Sequence, residues 1–226
     1  LSEPLGFVGL TSNGAFAKYV VVEDYMVHKI PDDFTYEQGA LVEPAAVAVY
    51  AVQQSGLSAG DTVLVSGAGP IGLLCVQAAL AFGATKVFVT DMSDSRLAMA
   101  TKVGATKIFK ATDKNIPEQI KKATGLGVDV FIDAAGVQAS FSTGILSLRN
   151  GGTAMLVALF GKPVTHDALD QALRELTIKA IIGYRNVFPV TIDLIHTGKM
   201  QVEKLITKKI ALDNIVKDGF EALVND

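Results

Sequence analysis

The stretch "VLVSGAGPIGLL" (residues 63–74) decides the fold, because a short apolar strand pattern runs through a glycine-rich turn into a helical pattern. Its glycines, Gly67, Gly69 and Gly72, have the spacing G-x-G-x-x-G. Between a strand and a helix, this spacing is typical of a dinucleotide-binding turn, with a pyrophosphate at the helix N-terminus. Gly67 would permit the tight turn, Gly69 the close approach of the phosphates, and Gly72 the packing of helix on strand. The alternative is a strand–helix turn without a ligand.

The next strand pattern ends in an acid at the position where such sites bind a ribose. Asp91 follows Gly72 by nineteen residues, close to the roughly 20 that separate the turn from the ribose-binding carboxylate. A carboxylate there accepts hydrogen bonds from the ribose hydroxyls and repels a 2′-phosphate, which favours NAD over NADP. As an alternative, Asp91 is only an N-cap, although Ser93 suits that role better. Arg96 would lie along the adenosine edge, contact a 2′-phosphate, or sit on a solvated helix face.

Repeated strand–helix units extend this pattern from residue 62 to about residue 184. The strand patterns are apolar on both faces, as expected for buried parallel strands. They span residues 62–66, 86–90, 105–110, 128–133 and 153–159, with a sixth starting at Thr177, and helical patterns cover 70–82, 93–103, 115–124 and 137–148. We therefore predict an α/β fold with a doubly wound parallel sheet and right-handed crossovers.

The two flanks of this region predict parts of a second, β-rich domain. Residues 14–30 have the pattern of two strands with a turn near Glu23, and the chain after Pro189 has the pattern helix, strand, helix. Neither flank is long enough to close a β domain alone. The predicted organisation is an incomplete catalytic domain at 1–45, a dinucleotide-binding domain at 46–187, and a return to the incomplete domain at 188–226.

Composition excludes several classes of function. The net charge of −3 gives no electrostatic basis for binding nucleic acid or an anionic membrane, and no uncharged apolar run is long enough to span a bilayer. Residues 1–10 lack the pattern of a signal peptide. The one cysteine, Cys75, excludes an internal disulfide and a multi-cysteine metal site in this chain. We therefore expect a cytoplasmic protein.

Several motifs together resemble the zinc-dependent medium-chain alcohol and polyol dehydrogenases. They are "GAFAKYVVV" (14–22), "LVEPAAVA" (41–48), "GAGPIG" (67–72), "VTDMSDSRL" (89–97) and "GYRNVFP" (183–189), in order over essentially the whole chain. The resemblance implies a Rossmann domain beside remnants of a GroES-like catalytic domain. It also implies zinc-assisted hydride transfer between NAD and a secondary alcohol or vicinal diol, in a protein that is a homo-oligomer when complete.

The same resemblance assigns residues to the site. Cofactor contacts are implied for Ile71, Asp91, Arg96, Val157, Ala158 and Leu159, with Tyr184 near the nicotinamide end. Glu43 falls where the polyol-type members have a glutamate beside the catalytic zinc, bound directly or through water, which makes it the implied catalytic and metal residue. The family's other zinc ligands, a cysteine and a His–Glu pair, have no counterpart here, so the chain resembles a fragment. The alternative is a non-catalytic NAD-binding module.

Glu43 is the one charge in the apolar run "GALVEPAAVAVYAV" (39–52), and two interpretations remain open. In the first, Pro44 starts a helix and Glu43 is its N-cap, where the helix dipole favours a negative charge. In the second, the carboxylate faces a cleft between domains, toward a zinc held mostly by ligands outside this chain. Ser, Thr, Asn or Asp would serve better as a cap, which leaves the first interpretation incomplete.

Overall fold

The computed structural model of the chain describes residues 6–225 and divides them into two compact units. The larger unit is Pro31–Leu205, and the smaller one combines the described residues up to Ile30 with those from Ile206 onward. These boundaries differ from the predicted ones at residues 45 and 187. The assignment of the flanks to a catalytic domain stays a prediction.

The larger unit is built on a six-stranded, all-parallel sheet. Its strands are β1 (Thr62–Ser66), β2 (Lys86–Asp91), β3 (Lys107–Lys110), β4 (Val128–Asp133), β5 (Leu148–Leu156) and β6 (Thr177–Ala180). Their order is β3-β2-β1-β4-β5-β6. Successive strands are therefore added toward one edge of the sheet from β1 to β3 and toward the other edge from β4 to β6, and this strand order reverses between β1 and β4. This is the order of the Rossmann fold, and it confirms the predicted doubly wound sheet.

Helices cover both faces of this sheet. They are α1 (Tyr36–Ser55), α2 (Pro70–Ala81), α3 (Asp94–Lys102), α4 (Ile116–Thr124), α5 (Gln138–Ser147), α6 (Ala168–Leu173) and α7 (Phe188–His196). Ile120 of α4 belongs to a core cluster with Leu64 and Phe131 of the sheet. Neighbouring strand residues face the other way and are equally buried, as the period of two requires. On α2, Cys75 is completely buried, and burial raises the pKa of its thiol to about 12.

Helix α1 begins earlier than expected, and this changes the interpretation of Glu43. Thr35 and Gln38 form a capping box: the Thr35 hydroxyl accepts from the Gln38 N–H at 3.1 Å, and the Thr35 N–H donates to the Gln38 side chain at 2.9 Å. Two N-terminal donors are thus satisfied before the apolar run starts. Pro44 lies inside the helix, so the interpretation of Glu43 as an N-cap is wrong.

The smaller unit contains less regular structure than its sequence pattern suggests. Between residues 14 and 30 the structure has no strand, only a 3₁₀ turn at Asp24–Met26. Residues 206–210 are not a strand either, and the chain continues as a 3₁₀ turn, a π-helical segment (Ile215–Phe220) and a short helix, α8 (Glu221–Asn225). The predicted strands are wrong because a strand needs a partner for its N–H and C=O groups, and residues such as Tyr19 remain largely exposed here.

Among residues 6–225, no helix is both long enough and apolar enough to cross a membrane.

Candidate cofactor site

A cavity of about 540 Å³ opens at the carboxyl ends of β1 to β4. Its lining includes Gly67 after β1, Asp91 at the end of β2, Ala111 after β3 and Ala134 after β4. The cavity therefore spans the point where the strand order reverses. In open parallel sheets, this crevice is where nucleotides and dinucleotides bind.

The glycine turn has a different geometric reason for each of its three glycines. Gly67 has φ of +91°, and a Cβ there would come within 2.9 Å of the Ala134 carbonyl group. A Cβ on Gly72 would overlap the Gly67 carbonyl oxygen, so α2 packs directly on the turn. Gly69 differs, because its φ is −71° and a Cβ there would meet no atom within 4 Å. Gly67 and Gly72 therefore shape the turn, whereas Gly69 borders open space in the cavity.

Asp91 joins the glycine turn to the next helix. Its Oδ2 accepts from the Ala68 N–H at 2.7 Å, and its Oδ1 accepts from the Ser93 N–H at 2.7 Å. A carboxylate offers about four acceptor positions, so two remain open toward the cavity. Ser93 is itself the N-cap of α3, where its hydroxyl accepts from the Arg96 N–H. The interpretation of Asp91 as only an N-cap is wrong.

Asp133, which sequence reasoning missed, organises the opposite wall. The residue is completely buried, and its Oδ1 accepts from the N–H groups of Ala135 and Gly136, both at 2.9 Å. The Ser140 hydroxyl reaches its Oδ2 at 3.0 Å. Burial raises the pKa of Asp133, and these hydrogen bonds oppose the rise. The signal available in the sequence was an acid at a strand end followed by small residues, "DAAG" (133–136).

The backbone carbonyl of Asp133 also anchors the segment that follows β5. It accepts from the N–H groups of Val157 at 3.0 Å and Ala158 at 2.9 Å. Of the predicted cofactor residues, the cavity brings together Gly67, Gly69, Asp91 and Arg96. The others lie outside its lining within the described part of the chain, and they are Ile71, Gly72, Val157, Ala158, Leu159 and Tyr184.

Glu43 and Tyr184 come together although they are far apart in sequence. The Glu43 carboxylate lies beside the Tyr184 phenol, and the Tyr184 ring packs on Phe188 with centroids 4.9 Å apart. Burial, followed by the Glu43 charge and hydrogen bond, raises the pKa of Tyr184 to about 12. Glu43 itself is exposed on α1. The phenol is therefore a neutral donor to this carboxylate at physiological pH.

A zinc site is not complete among the described residues. No group of three or more His, Cys, Asp or Glu side chains there is arranged to hold a metal ion. Cys75 is buried, and His196 pairs instead with Asp33 at 3.2 Å. Catalytic zinc uses about three protein ligands and an open position. Glu43 alone does not fit that requirement.

Of the five tyrosines, we expect Tyr184 to ionise near pH 12. The substitution Glu43→Gln should lower the pKa of Tyr184 toward the ordinary value of about 10. Phenolate absorbance during an alkaline titration measures both. Because the unfolded phenol ionises first, the contribution of Tyr184 to stability is complete below about pH 10 and is lost as pH rises toward 12. Tyr184→Phe should remove the late transition, and Asp33→Asn should leave it in place. A single transition near pH 10 for all five phenols would contradict the pairing.

Comparison with known proteins identifies relatives over the whole chain. Residues 70–197 match the family model described as "Zinc-binding dehydrogenase". The chain is 40% identical to (R,R)-butanediol dehydrogenase of Bacillus subtilis (strain 168), over 100% of the chain and 66% of that protein. It is 38% identical to sorbitol dehydrogenase of Bos taurus, over 86% of the chain and 55% of that protein. The chain thus spans less than two thirds of these relatives.

Solved structures give the same result. The crystal structure of 2R,3R-butanediol dehydrogenase from Bacillus subtilis superposes with a TM-score of 0.93 at 40% identity, covering 98% of this chain and 64% of that one. A short chain alcohol dehydrogenase from Escherichia coli CFT073, complexed with NADH, superposes with a TM-score of 0.91 at 27% identity, covering 98% of this chain and 65% of that one. The arrangement of strands and helices around the cavity is therefore shared with dehydrogenases.

Proposed function

The chain belongs to the zinc-binding dehydrogenase family, and we propose that it supplies the NAD-binding part of an oxidoreductase acting on a secondary alcohol or vicinal diol. The diol would be 2,3-butanediol-like or a polyol, in keeping with the names of the relatives. The observation that carries the proposal is the Asp91 carboxylate, which lies in the cavity and is hydrogen-bonded to the glycine turn. A cytoplasmic location and a homo-oligomeric state are further parts of the proposal.

NAD would lie across the carboxyl ends of the strands. Its pyrophosphate would approach the backbone at Gly69, where no protein atom occupies the space a side chain would fill. Asp91 would accept from the ribose hydroxyls while keeping its bond to the Ala68 N–H. The free N–H groups at the start of α2 stabilise negative charge on the phosphates. Bound NAD supplies hydride transfer, and these residues bind and orient it.

Glu43 is the residue of this chain that we propose to act on the metal side. It presents an exposed carboxylate beside the Tyr184 phenol. The pair would lie near the reacting end of the cofactor, and the remaining zinc ligands would come from outside the described residues. The second candidate function, a non-catalytic NAD-binding module, is favoured by the absence of a three-ligand cluster among residues 6–225.

The choice of cofactor tests the role of Asp91. We expect the chain to bind NAD more tightly than NADP, and Asp91→Ser to weaken NAD binding by roughly tenfold or more, since it removes charge-assisted hydrogen bonds. Asp91→Asn keeps an acceptor for the Ala68 N–H. It should narrow the preference for NAD over NADP, with less loss of NAD affinity than Asp91→Ser causes. Isothermal titration calorimetry with both cofactors measures these effects.

Asp61→Ser is the matched control for this prediction. The Asp61 carboxylate also accepts from a backbone N–H, that of Ser58 at 2.8 Å, but it precedes β1 at the other end of the strand. Its replacement should change neither cofactor affinity. Tighter binding of NADP than of NAD by the unaltered chain would refute the assignment.

A further inference from the structure

Helix α5 separates the cavity from the segment that follows β5 (residues 157–167, the post-β5 segment). Ala139, Ser140 and Thr143 of α5 line the cavity. Phe141 is buried, and its ring packs against Phe160 and His166, with centroids 6.5 and 6.1 Å away. The helix is therefore a shared wall, with cofactor space on one side and the post-β5 segment on the other.

The Gln138 side chain holds the far end of the post-β5 segment. Its Oε1 accepts from the Thr165 N–H at 2.8 Å, while its Nε2 donates to the Thr165 carbonyl at 2.9 Å. The same Nε2 donates to the Ser142 hydroxyl at 2.9 Å. Both amide hydrogens and the amide oxygen are therefore used. A side-chain amide bonded to both backbone groups of one residue fixes that residue's position and its orientation.

The near end of the segment is fixed by Asp133, at the end of β4, and by Gly136, in the turn before α5. The Asp133 carbonyl accepts from Val157 and Ala158, and a Cβ on Gly136 would come within 2.9 Å of the Ala158 Cβ. Leu159, between the two anchors, has a side chain that is 82% exposed. The segment therefore presents backbone and an uncovered leucine between two fixed points.

We infer that Gln138 is a positioning residue for the nicotinamide half of the cofactor, which deepens the function proposed above and rests on it. A dinucleotide crosses the sheet at the strand-order reversal, with one nucleotide on each half. Asp91 on β2 assigns the adenosine half to the β1–β3 side. The nicotinamide half then falls on the side of β4 to β6, where Val157, Ala158 and Leu159 follow β5. Gln138 fixes Thr165 at the far end of the segment that carries these residues, and it does so without touching the adenosine half.

The test compares NADH with ADP-ribose, which lacks the nicotinamide. In Gln138→Ala, we expect the Kd for NADH to rise about fivefold, because the far end of the post-β5 segment loses its hydrogen bonds to the Gln138 amide. The Kd for ADP-ribose should stay within about twofold. Gln138→Glu keeps the acceptor for Thr165 and should give an intermediate Kd for NADH. The side-chain amide of Gln171 on α6 also donates to a backbone carbonyl, at 3.2 Å. Gln171→Ala should therefore change the Kd of neither NADH nor ADP-ribose.

Each other outcome has a distinct meaning. Unchanged NADH affinity in Gln138→Ala, or equal weakening of NADH and ADP-ribose, would overturn the inference and leave the proposed function intact. Failure of the unaltered chain to bind ADP-ribose would overturn the proposed function and the inference with it. If Gln138→Ala does not fold, an NADH affinity for Gln138→Glu equal to that of the unaltered chain would overturn the inference.

Discussion

Gly69→Val is expected to abolish NAD(H) binding, with a loss of at least about 100-fold, because its side chain would occupy the space of the pyrophosphate. The backbone at Gly69 is extended, with φ of −71° and ψ of −179°, so valine can adopt it. Since its Cβ would meet no protein atom within 4 Å, the melting temperature should stay within about 2 °C of the parent. A fluorescence titration with NADH and a thermal melt measure the two quantities.

Gly72→Ala is the contrasting variant. A Cβ there would overlap the Gly67 carbonyl oxygen, so the backbone must move, at a cost of roughly 3 kcal/mol or more of folding free energy. Its melting temperature should therefore fall clearly, whereas that of Gly69→Val should not. Normal NADH binding by Gly69→Val would show that the turn does not hold a pyrophosphate.

The second large effect is expected at Glu43, in a longer form of the protein that carries the remaining zinc ligands. There, Glu43→Ala should lower the turnover of a vicinal diol by about 100-fold, the upper range for losing a group beside a metal. The Glu43 side chain is exposed on α1, so the melting temperature should change by no more than about 2 °C. Steady-state kinetics and a thermal melt separate the two effects.

Glu37→Ala, in the first turn of the same helix, is the matched control and should keep turnover near that of the parent. The 226-residue chain itself is expected to bind NAD yet to retain no stoichiometric zinc after dialysis, since one carboxylate does not hold zinc against water. One tightly bound zinc per chain would contradict this expectation. Full activity of Glu43→Ala would show that Glu43 has no part in turnover and only lies beside Tyr184.

The sheet was predictable because its strands carry their own signals. The predicted ranges 62–66 and 128–133 coincide with β1 and β4, since β-branched apolar runs there end at glycines or small residues. Strand β5 was placed at 153–159 but runs over Leu148–Leu156. The pairing of β4 with β5 shifts register between Val128 and Val130, so "RNGG" (149–152), which has the composition of a turn, is part of the strand.

Features that depend on distant partners were not predictable in the same way. The sequence contains the capping signature T-x-x-Q at Thr35–Gln38. Pro44, a residue typical of a first helical turn, indicated instead that the helix begins later. Residues 14–30 have strand propensity, yet no strand pairs with them in the described structure. The glycine turn and Asp91 were found because their spacing is local. Gln138 acts through bonds to Thr165, twenty-seven positions away, which no local pattern reveals.

The alkylation rate of the buried Cys75 thiol should report how often α2 opens away from the sheet. With a pKa of about 12, the folded thiol is about 10⁻⁴ thiolate at pH 8, and only the thiolate is a good nucleophile. Alkylation must therefore wait until α2 separates from the sheet, and under those conditions its rate follows the population of opened molecules. Because α2 begins at the glycine turn, a ligand bound there should slow the reaction in proportion to its occupancy. A single reactive atom thus reports binding and local stability together, without any label added to the protein.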